Sequence, residues 1–438
     1  MSDAHRDAEV QAYDNFARRV VAGKVLTDPW IDGRPRVRQE PLVVRAEEAQ
    51  AMYRAAESVA EVYNELCLIV SDHPDLLDDF FGLTPFQKAM WLASAPLWHG
   101  LARADVFVTD EGLAFAELNC DTPTGEAEAV VLNACVAGDH PGLRDPNTGL
   151  QKRFLAMVET LAARELQRRP EGAGADKKLK TVGLVYPTEM TDDLALVRLY
   201  RSWFQEAGYQ VVLGSPYNLS VKDDALCLFD TPFSILVRHY KTDWWGERIA
   251  AWDDAVIPDV LPLTDPLSAV LEGSLSGHVS IVNPFGAVLP QNKRSMAFMW
   301  EHIHRFSPRG ADVIRRHIPV TSRLETMHHE QLLAAREEWV LKSDYGAEGD
   351  EVVVGRRVTD EIWRASLAHA RPGHWVAQRY FAAQRASNGE IVNYGIYLVA
   401  GEASGIYARV QDGPTDERAL SVPVLVCSPV DGYRARAS

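Results

Sequence analysis

The chain has 438 residues, 47% of them hydrophobic and 24% charged, which is the balance of a soluble globular protein and excludes a disordered tail, a collagen-like repeat and a simple coiled coil. Domains commonly run to about 100 to 200 residues, so two or three packed units are expected. A formal net charge of −16 argues against a broad phosphate-backbone footprint, and hence against nucleic acid as a partner. The longest apolar runs, such as 129–136, fall far short of the roughly 18 to 20 residues that span a bilayer, so no membrane segment is expected. The opening Met1-Ser2-Asp3-Ala4-His5-Arg6-Asp7 has no basic end leading into an apolar stretch, which makes the cytoplasm the expected compartment. Cys67, Cys120, Cys135, Cys227 and Cys427 are scattered without a Cys-x-x-Cys pair, as suits buried, inert thiols in a reducing compartment.

In chain order, residues 1–102 read as a mainly helical region. Apolar positions recur at three and four spacings through 46–70 and again through 86–101, with Thr84-Pro85 as cap and first turn. At Ala104 the pattern changes to two alternating runs around Asp110-Glu111-Gly112, a hairpin. Helices are predicted over 126–137 and 150–169, ahead of a breaker at 170–175. The second unit therefore runs over 103–175. Strand 181–185, helix 192–207 and strand 209–213 have the order of a parallel βαβ unit, so 178–280 should form a small open α/β domain. The remainder, 281–438, is predicted to be α+β. It has a helix over 292–306, strands at 339–342, 351–354, 375–378 and 391–399, and a helix around 361–369.

The hairpin carries the first chemical signal. A three-residue loop centred on Glu111 sets Asp105 opposite Glu117 and Arg103 opposite Asn119, and period-two alternation then projects all four from one side. Carboxylates with an amide oxygen suit a hard cation such as Mg²⁺ that shares its coordination with water and phosphate, while a salt-bridged exposed face fits the same residues. Lys342 closes an apolar strand and precedes a glycine-bearing loop, 343–350, whose backbone N–H groups could approach a phosphate; a plain hairpin loop is the alternative. Asn292 reads equally as a helix cap and as the neighbour of a phosphate-binding Lys293. The Tyr240-Lys241-Thr242-Asp243-Trp244-Trp245-Gly246-Glu247 stretch mixes charge with aromatic packing.

Glu117-Leu118-Asn119-Cys120-Asp121-Thr122-Pro123-Thr124-Gly125 resembles the synthetase part of the glutathionylspermidine synthase family, a circularly permuted ATP-grasp group of carboxylate–amine ligases. The other motifs follow in the family's order: Arg103-x-Asp105 before it, then Lys241-Thr242 with Trp244-Trp245 and Glu247, Pro284, Asn292-Lys293 with Trp300-Glu301, Lys342 with Glu348-Gly349, and Val376-Ala377-Gln378. The likeness spans roughly residues 30–430 and implies an ATP-grasp-like fold with a small α/β pre-ATP-grasp domain and an N-terminal helical region. It implies Mg²⁺ at Asp105, Glu117 and Asn119, and ATP phosphates at Lys293 and Lys342 under a lid that includes Gly346, Glu348 and Gly349. Adenine would lie near Gln378, Arg379 and Tyr380, and Arg409 would be a further nucleotide contact. Arg103 would stabilise charge on the transferring phosphate, and Asp121, Thr122, Thr124, Lys241 and Glu247 would line the acceptor cleft.

The reaction so implied is attack of an acid's carboxylate on the γ-phosphate of ATP, followed by displacement of phosphate from the acyl phosphate by an amine. The partners would be a small-molecule acid, such as a peptide or amino acid, and an amine. No amidase activity is expected, because the synthetase-like region begins near Met1. A nucleotide-binding protein without turnover and an ATP-dependent small-molecule phosphotransferase are the competing readings, and homo-oligomerisation is left open.

Overall fold

The computed structural model describes residues 3–31, 33–167, 180–188, 191, 193–223, 225–246, 263–346, 352–370, 374–413 and 418–427. Helix α1, Ala46–Asp72, buries Ala49, Met52, Ala56, Val59, Tyr63, Leu66 and Val70, the three-and-four stripe read from the sequence. Helix α2, Pro85–Ser94, begins in a capping box: the Thr84 hydroxyl accepts from the Gln87 backbone N–H and the Gln87 side chain accepts from that of Thr84. It stops at Ser94, two residues before Pro96, instead of reaching Leu101, which already belongs to a strand.

Strands β1, Leu101–Thr109, and β2, Gly112–Asn119, form the expected hairpin, followed by helices α3, Glu126–Ala137, and α4, Leu150–Leu166. Next come β3, Thr181–Val185, helix α5, Leu194–Glu206, and strands β4, Gln210–Gly214, β5, Ile235–Arg238, and β6, Ser280–Val282. Helix α6, Arg294–Glu301, is shorter than the 292–306 reading, because a 3-10 turn at Ile303–Arg305 replaces its last part. The chain continues through β7, Thr321–Arg323, β8, Trp339–Ser343, β9, Val352–Val354, helix α7, Asp360–His369, and β10, Trp375–Arg379. Strands β11, Ile391–Val399, β12, Glu402–Gln411, and β13, Leu420–Val422, follow.

Three sheets organise these strands. The central one is antiparallel in the order β13-β12-β11-β1-β2, so strands nearly 300 residues apart in sequence become neighbours. Its residues alternate between two faces. Ala104, Val106, Leu118, Ile396, Leu398, Ile406 and Ala408 point into a core shared with α1, while the opposite face is divided between Leu101, Tyr397, Val399 and Tyr407, packed in a second core with α3 and α4, and a polar group around Asp105. The second sheet is parallel, in the order β6-β5-β3-β4, and confirms the predicted βαβ crossover through α5. The third, β7-β10-β8-β9, is antiparallel and backed by α7 through Leu341, Trp363, Leu367, Trp375 and Ala377. Together these elements make a mixed helix-and-sheet fold.

The hairpin reaches its expected register by a different route. The loop has two residues, Asp110 and Glu111, with Thr109 opposite Gly112, and a bulge between Asp105 and Val106 leaves Ala116 without a partner. The extra residue restores the pairing of Asp105 with Glu117 and of Arg103 with Asn119. Asn283, just after β6, ties the parallel sheet to this hairpin. Its Oδ1 accepts from the Leu101 N–H at 2.7 Å, and its Nδ2 donates to the carbonyls of Leu101, Cys120 and Asp121 at 2.8, 3.0 and 3.0 Å.

Candidate active site

The polar face of the central sheet gathers Glu117 and Asn119 from β2, Arg103 and Asp105 from β1, Asn393 and Tyr397 from β11, and Tyr407 and Arg409 from β12, as the strand registers require. Arg103 forms two bonds to one carboxylate, Nε to Asp105 Oδ1 at 2.7 Å and an Nη to Oδ2 at 3.1 Å, and donates to the Thr124 carbonyl at 2.9 Å. It lies flat over β11 at Gly395, where a Cβ would stand 2.7 Å from the Arg103 Cδ. Asp105 also receives Asn393 Nδ2 at 3.3 Å and lies 3.5 Å from an Arg409 nitrogen. Asn393 escaped the sequence reading; a carboxamide in the otherwise largely apolar run 391–399 was the available signal.

Two lysines close the site from the other side. Lys293, at the start of α6, is 3.6 Å from Glu117 Oε2 and donates to the Gly346 carbonyl at 2.6 Å. Lys342, on β8, donates at 3.0 Å to the carbonyl of Ala116, the bulged residue. Burial raises the cost of ionising Glu117, yet Lys293, Lys342, Arg103 and the Asn119 amide hold its carboxyl down to about 2. Burial pulls the Lys342 ammonium down to about 8, with Glu117 working against it and Lys293 with it. Four cations, Arg103, Lys293, Lys342 and Arg409, thus surround two carboxylates in a protein whose net charge is −16.

Not every expected residue joins this group. Pairing of Val340 with Gln378 and of Lys342 with Val376 puts Gln378 on the Lys342 face, where its amide donates to Thr321 Oγ1 at 3.2 Å. Arg379 faces the other way, pairs with Glu338 and lies 5.0 Å over the Trp339 ring, so the structure keeps its guanidinium away from the lysines. Tyr380 is covered by Arg356 at 3.8 Å. Lys241 reaches the same loop as Lys293, donating to the Tyr345 carbonyl at 3.3 Å, and pairs with Asp243 at 3.3 Å. Glu247, Glu348 and Gly349 lie outside the described residues, as does the second half, 347–350, of the expected lid loop.

The Asp121–Gly125 loop borders the Arg103 side of the site. Gln291 accepts from the Cys120 and Asp121 N–H groups at 2.8 and 3.0 Å, and Thr122 and Thr124 are part-buried beyond them. Asp121 is wholly buried, ion-paired with Arg238 at 2.6 Å and accepting from Thr242 N and Oγ1 at 2.8 and 3.2 Å. The loop ends at Gly125 with φ +93°, where a Cβ would meet the Tyr407 ring at 2.7 Å, so glycine alone fits.

The next residue, Glu126, has no exposed surface, and neither of its oxygens accepts a well-formed hydrogen bond. Burial pushes its carboxyl up from 4.5 to about 8. The folded protein therefore keeps a proton that the unfolded chain releases above the ordinary carboxyl range, and stability falls as pH rises from about 4.5 to about 8. Glu126→Gln is expected to remove up to about 4 to 5 kcal/mol of that loss. In paired thermal melts the variant should exceed wild type by a margin that grows from near zero at pH 5 to several degrees at pH 8. A pH-independent difference would refute the assignment. His239, held above its usual range by Asp193 at 2.8 Å despite burial, is also raised by Glu126, so the variant loses that support as well and the two melts are compared across the whole pH range.

Among the described residues no three His, Cys, Asp or Glu side chains cluster so as to hold a metal unaided. The donors present, two carboxylates and amide oxygens, are the hard set of a divalent cation completed by water and phosphate, and they fit Mg²⁺. No helix among the described residues is long and apolar enough to cross a membrane.

Comparisons with known proteins agree with this architecture. The structure is similar over 94% of its length to 95% of a glutathione synthetase-like effector from Globodera pallida, with a TM-score of 0.55 at 10% identity, a likeness of fold. A putative gamma-glutamylcysteine synthetase from Methylobacillus flagellatus gives a TM-score of 0.45 at 14% identity, with 88% of each chain covered. A RimK-domain ATP-grasp protein from Sphaerobacter thermophilus gives 0.30 at 18% identity, covering 56% of this chain and 90% of its own. No curated protein sequence matches the chain. The family model described as glutathionylspermidine synthase pre-ATP-grasp matches residues 26–426, and the chain belongs to that family.

Proposed function

We propose that this protein is an ATP- and Mg²⁺-dependent ligase that joins the carboxylate of a small peptide or amino acid to an amine, releasing ADP and phosphate. The observation that carries the reading is the buried excess of cations around Asp105 and Glu117, an arrangement suited to a polyphosphate chain and its metal. Family membership supports a carboxylate–amine ligase as the general class. In this reading the acid's oxygen attacks the γ-phosphorus, the bond to the β-phosphate oxygen breaks, and ADP leaves. The amine then attacks the activated carbonyl, phosphate leaves, and the amine gives up a proton. A bound Mg²⁺ would neutralise charge on the phosphate oxygens.

The chain's own residues supply the rest. The Lys293 and Lys342 ammonium groups exchange the carbonyls of Gly346 and Ala116 for phosphate oxygens as negative charge spreads. Arg103, fixed between Asp105 and the Thr124 carbonyl, stands where the phosphate site meets the Asp121–Gly125 loop and would meet the tetrahedral oxyanion.

The test is incubation of the protein with Mg-ATP and pooled amino acids, small peptides and polyamines, reading ADP and new masses against a Lys342→Ala control. The expected result is ADP that needs both an acid and an amine, a product lighter by one water than its two substrates, and at least about a 100-fold loss in the control. AMP release would overturn the acyl-phosphate route. A stable phosphorylated product without an amide would make the protein a phosphotransferase, and tight ATP binding without ADP across the pool would make it a binding protein.

A further inference from the structure

Asn119 and Asn393 bracket the two carboxylates of the site in the same manner. Asn119 Nδ2 donates to Glu117 Oε1 at 3.3 Å, and Asn393 Nδ2 donates to Asp105 Oδ2 at 3.3 Å. A carboxylate accepts and does not donate, so each contact fixes the orientation of its amide and leaves the carboxamide oxygen facing elsewhere. For Asn393 that oxygen is buried and receives no hydrogen bond, and the residue as a whole is 5% exposed. A buried carbonyl oxygen without a donor has lost its hydration uncompensated, so its position calls for a ligand or a bridging water. The β11–β12 register puts Asn393 directly opposite Arg409, and the β11–β1 register puts it on the strand face that carries Asp105. Of its neighbours on that face, Asp105 and Arg409 belong to the proposed metal and nucleotide site.

We propose that the Asn393 Oδ1 is a further oxygen of the divalent-cation site, bound to the cation directly or through one of its waters, with the Asn393 amide orienting Asp105 as Asn119 orients Glu117. The inference rests on the reading of this face as a metal–nucleotide site. It adds a donor from β11 to a set otherwise drawn from the β1–β2 hairpin, so that cation binding would join the chain's two distant hairpins. The two contributions of Asn393 separate by substitution: Asn393→Asp keeps an oxygen but cannot donate to Asp105, and Asn393→Ala removes both.

Mn²⁺ is the probe, titrated into the full chain with a non-hydrolysable ATP analogue and followed by electron paramagnetic resonance, with circular dichroism to verify folding. The expected result is about a tenfold weaker Mn²⁺ dissociation constant in Asn393→Ala and a constant at least as tight as wild type in Asn393→Asp. Equal constants in all three proteins would overturn the inference. Equal weakening in both variants would reduce Asn393 to an orienting role and overturn its oxygen as a cation ligand. The measurement needs no turnover. Mn²⁺ binding that responds as expected, in a protein that never releases ADP, would sink the ligase reading and leave this inference standing. A wild type that takes up no Mn²⁺ with nucleotide would end the inference whatever the ADP assay shows.

Discussion

Replacing Glu117 by Gln should cost about 100-fold or more in ADP release and should also move the pH dependence of nucleotide binding. The carboxylate does two jobs at once. In the proposed function it is one of two anionic donors for the cation, and in the structure it is the main counter-charge for a pair of lysines that are otherwise buried together. Burial already brings the Lys342 ammonium down to about 8, and Glu117 is the largest influence opposing that fall. A neutral amide at 117 removes the opposition while Lys293 goes on repelling, so Lys342 sheds its proton at a lower pH and the site loses a metal donor and a phosphate-binding charge together. Calorimetric titration of a non-hydrolysable ATP analogue between pH 6.5 and 9 measures this. In wild type the affinity should fall above about pH 8, where free Lys342 becomes neutral and must take up a proton to bind. In the variant the fall should begin at lower pH. An unchanged alkaline limb, or turnover within threefold of wild type, would show that Glu117 and Lys342 do not share one electrostatic site.

The residues of that site were legible in proportion to how local their signals are. Alternation along one hairpin was enough to bring Arg103, Asp105, Glu117 and Asn119 to one face, although the loop is a residue shorter than expected and the bulge at Ala116 makes up the difference. A chain pattern reports how far two residues lie from a turn, and both solutions give the same offset at Asp105. The third and fourth strands of the sheet come from 391–411, and nothing local says that Gly395 rather than another strand residue faces Asp105. Long-range pairing is chosen by packing on α1, which is why Asn393 and the placement of Arg409 emerge only in three dimensions. Gln378 and Arg379 show the same limit from the other side: adjacent in sequence, they lie on opposite faces of β10, so a motif that names both can supply only one side chain to the cleft. Arg238 and Glu126 each carry a local signal, a charge set against an apolar run, at the end of Ile235–Arg238 and at the start of 126–137. A buried ionisable group in such a place is either paired, as Arg238 is with Asp121, or kept neutral, as burial keeps Glu126.

Asp121→Asn is therefore expected to act on stability before it acts on substrate. The Asp121–Arg238 pair is 2.6 Å long with side chains 2% and 0% exposed, and Arg238 also donates to the Tyr240 and Pro284 carbonyls and lies 4.7 Å over the Phe285 ring. Removing one member of such a pair leaves the other charge in a low-dielectric interior, a loss of about 3 to 5 kcal/mol. An asparagine still accepts from Thr242 but offers Arg238 no counter-charge. The reverse change, Arg238→Met, strands the carboxylate in the same way. Removing both leaves no unpaired charge, so the double variant should unfold at a higher urea concentration than the sum of the two single losses predicts, with a coupling of about 2 kcal/mol or more. Because Asp121 leaves the β1–β2 hairpin and Arg238 ends β5 of the parallel sheet, the pair also fastens the Asp121–Gly125 loop to that sheet. Its loss should loosen Thr122 and Thr124, and with Thr124 one of the contacts of Arg103, while leaving the Arg103–Asp105 pair and Glu117 in place. Folded Asp121→Asn should then keep wild-type affinity for the ATP analogue and show its defect in the dependence of ADP release on acid and amine concentration. Wild-type stability with a strong acceptor defect would instead make Asp121 a direct substrate contact, because a carboxylate that carried no structural charge balance could be neutralised without cost to the fold.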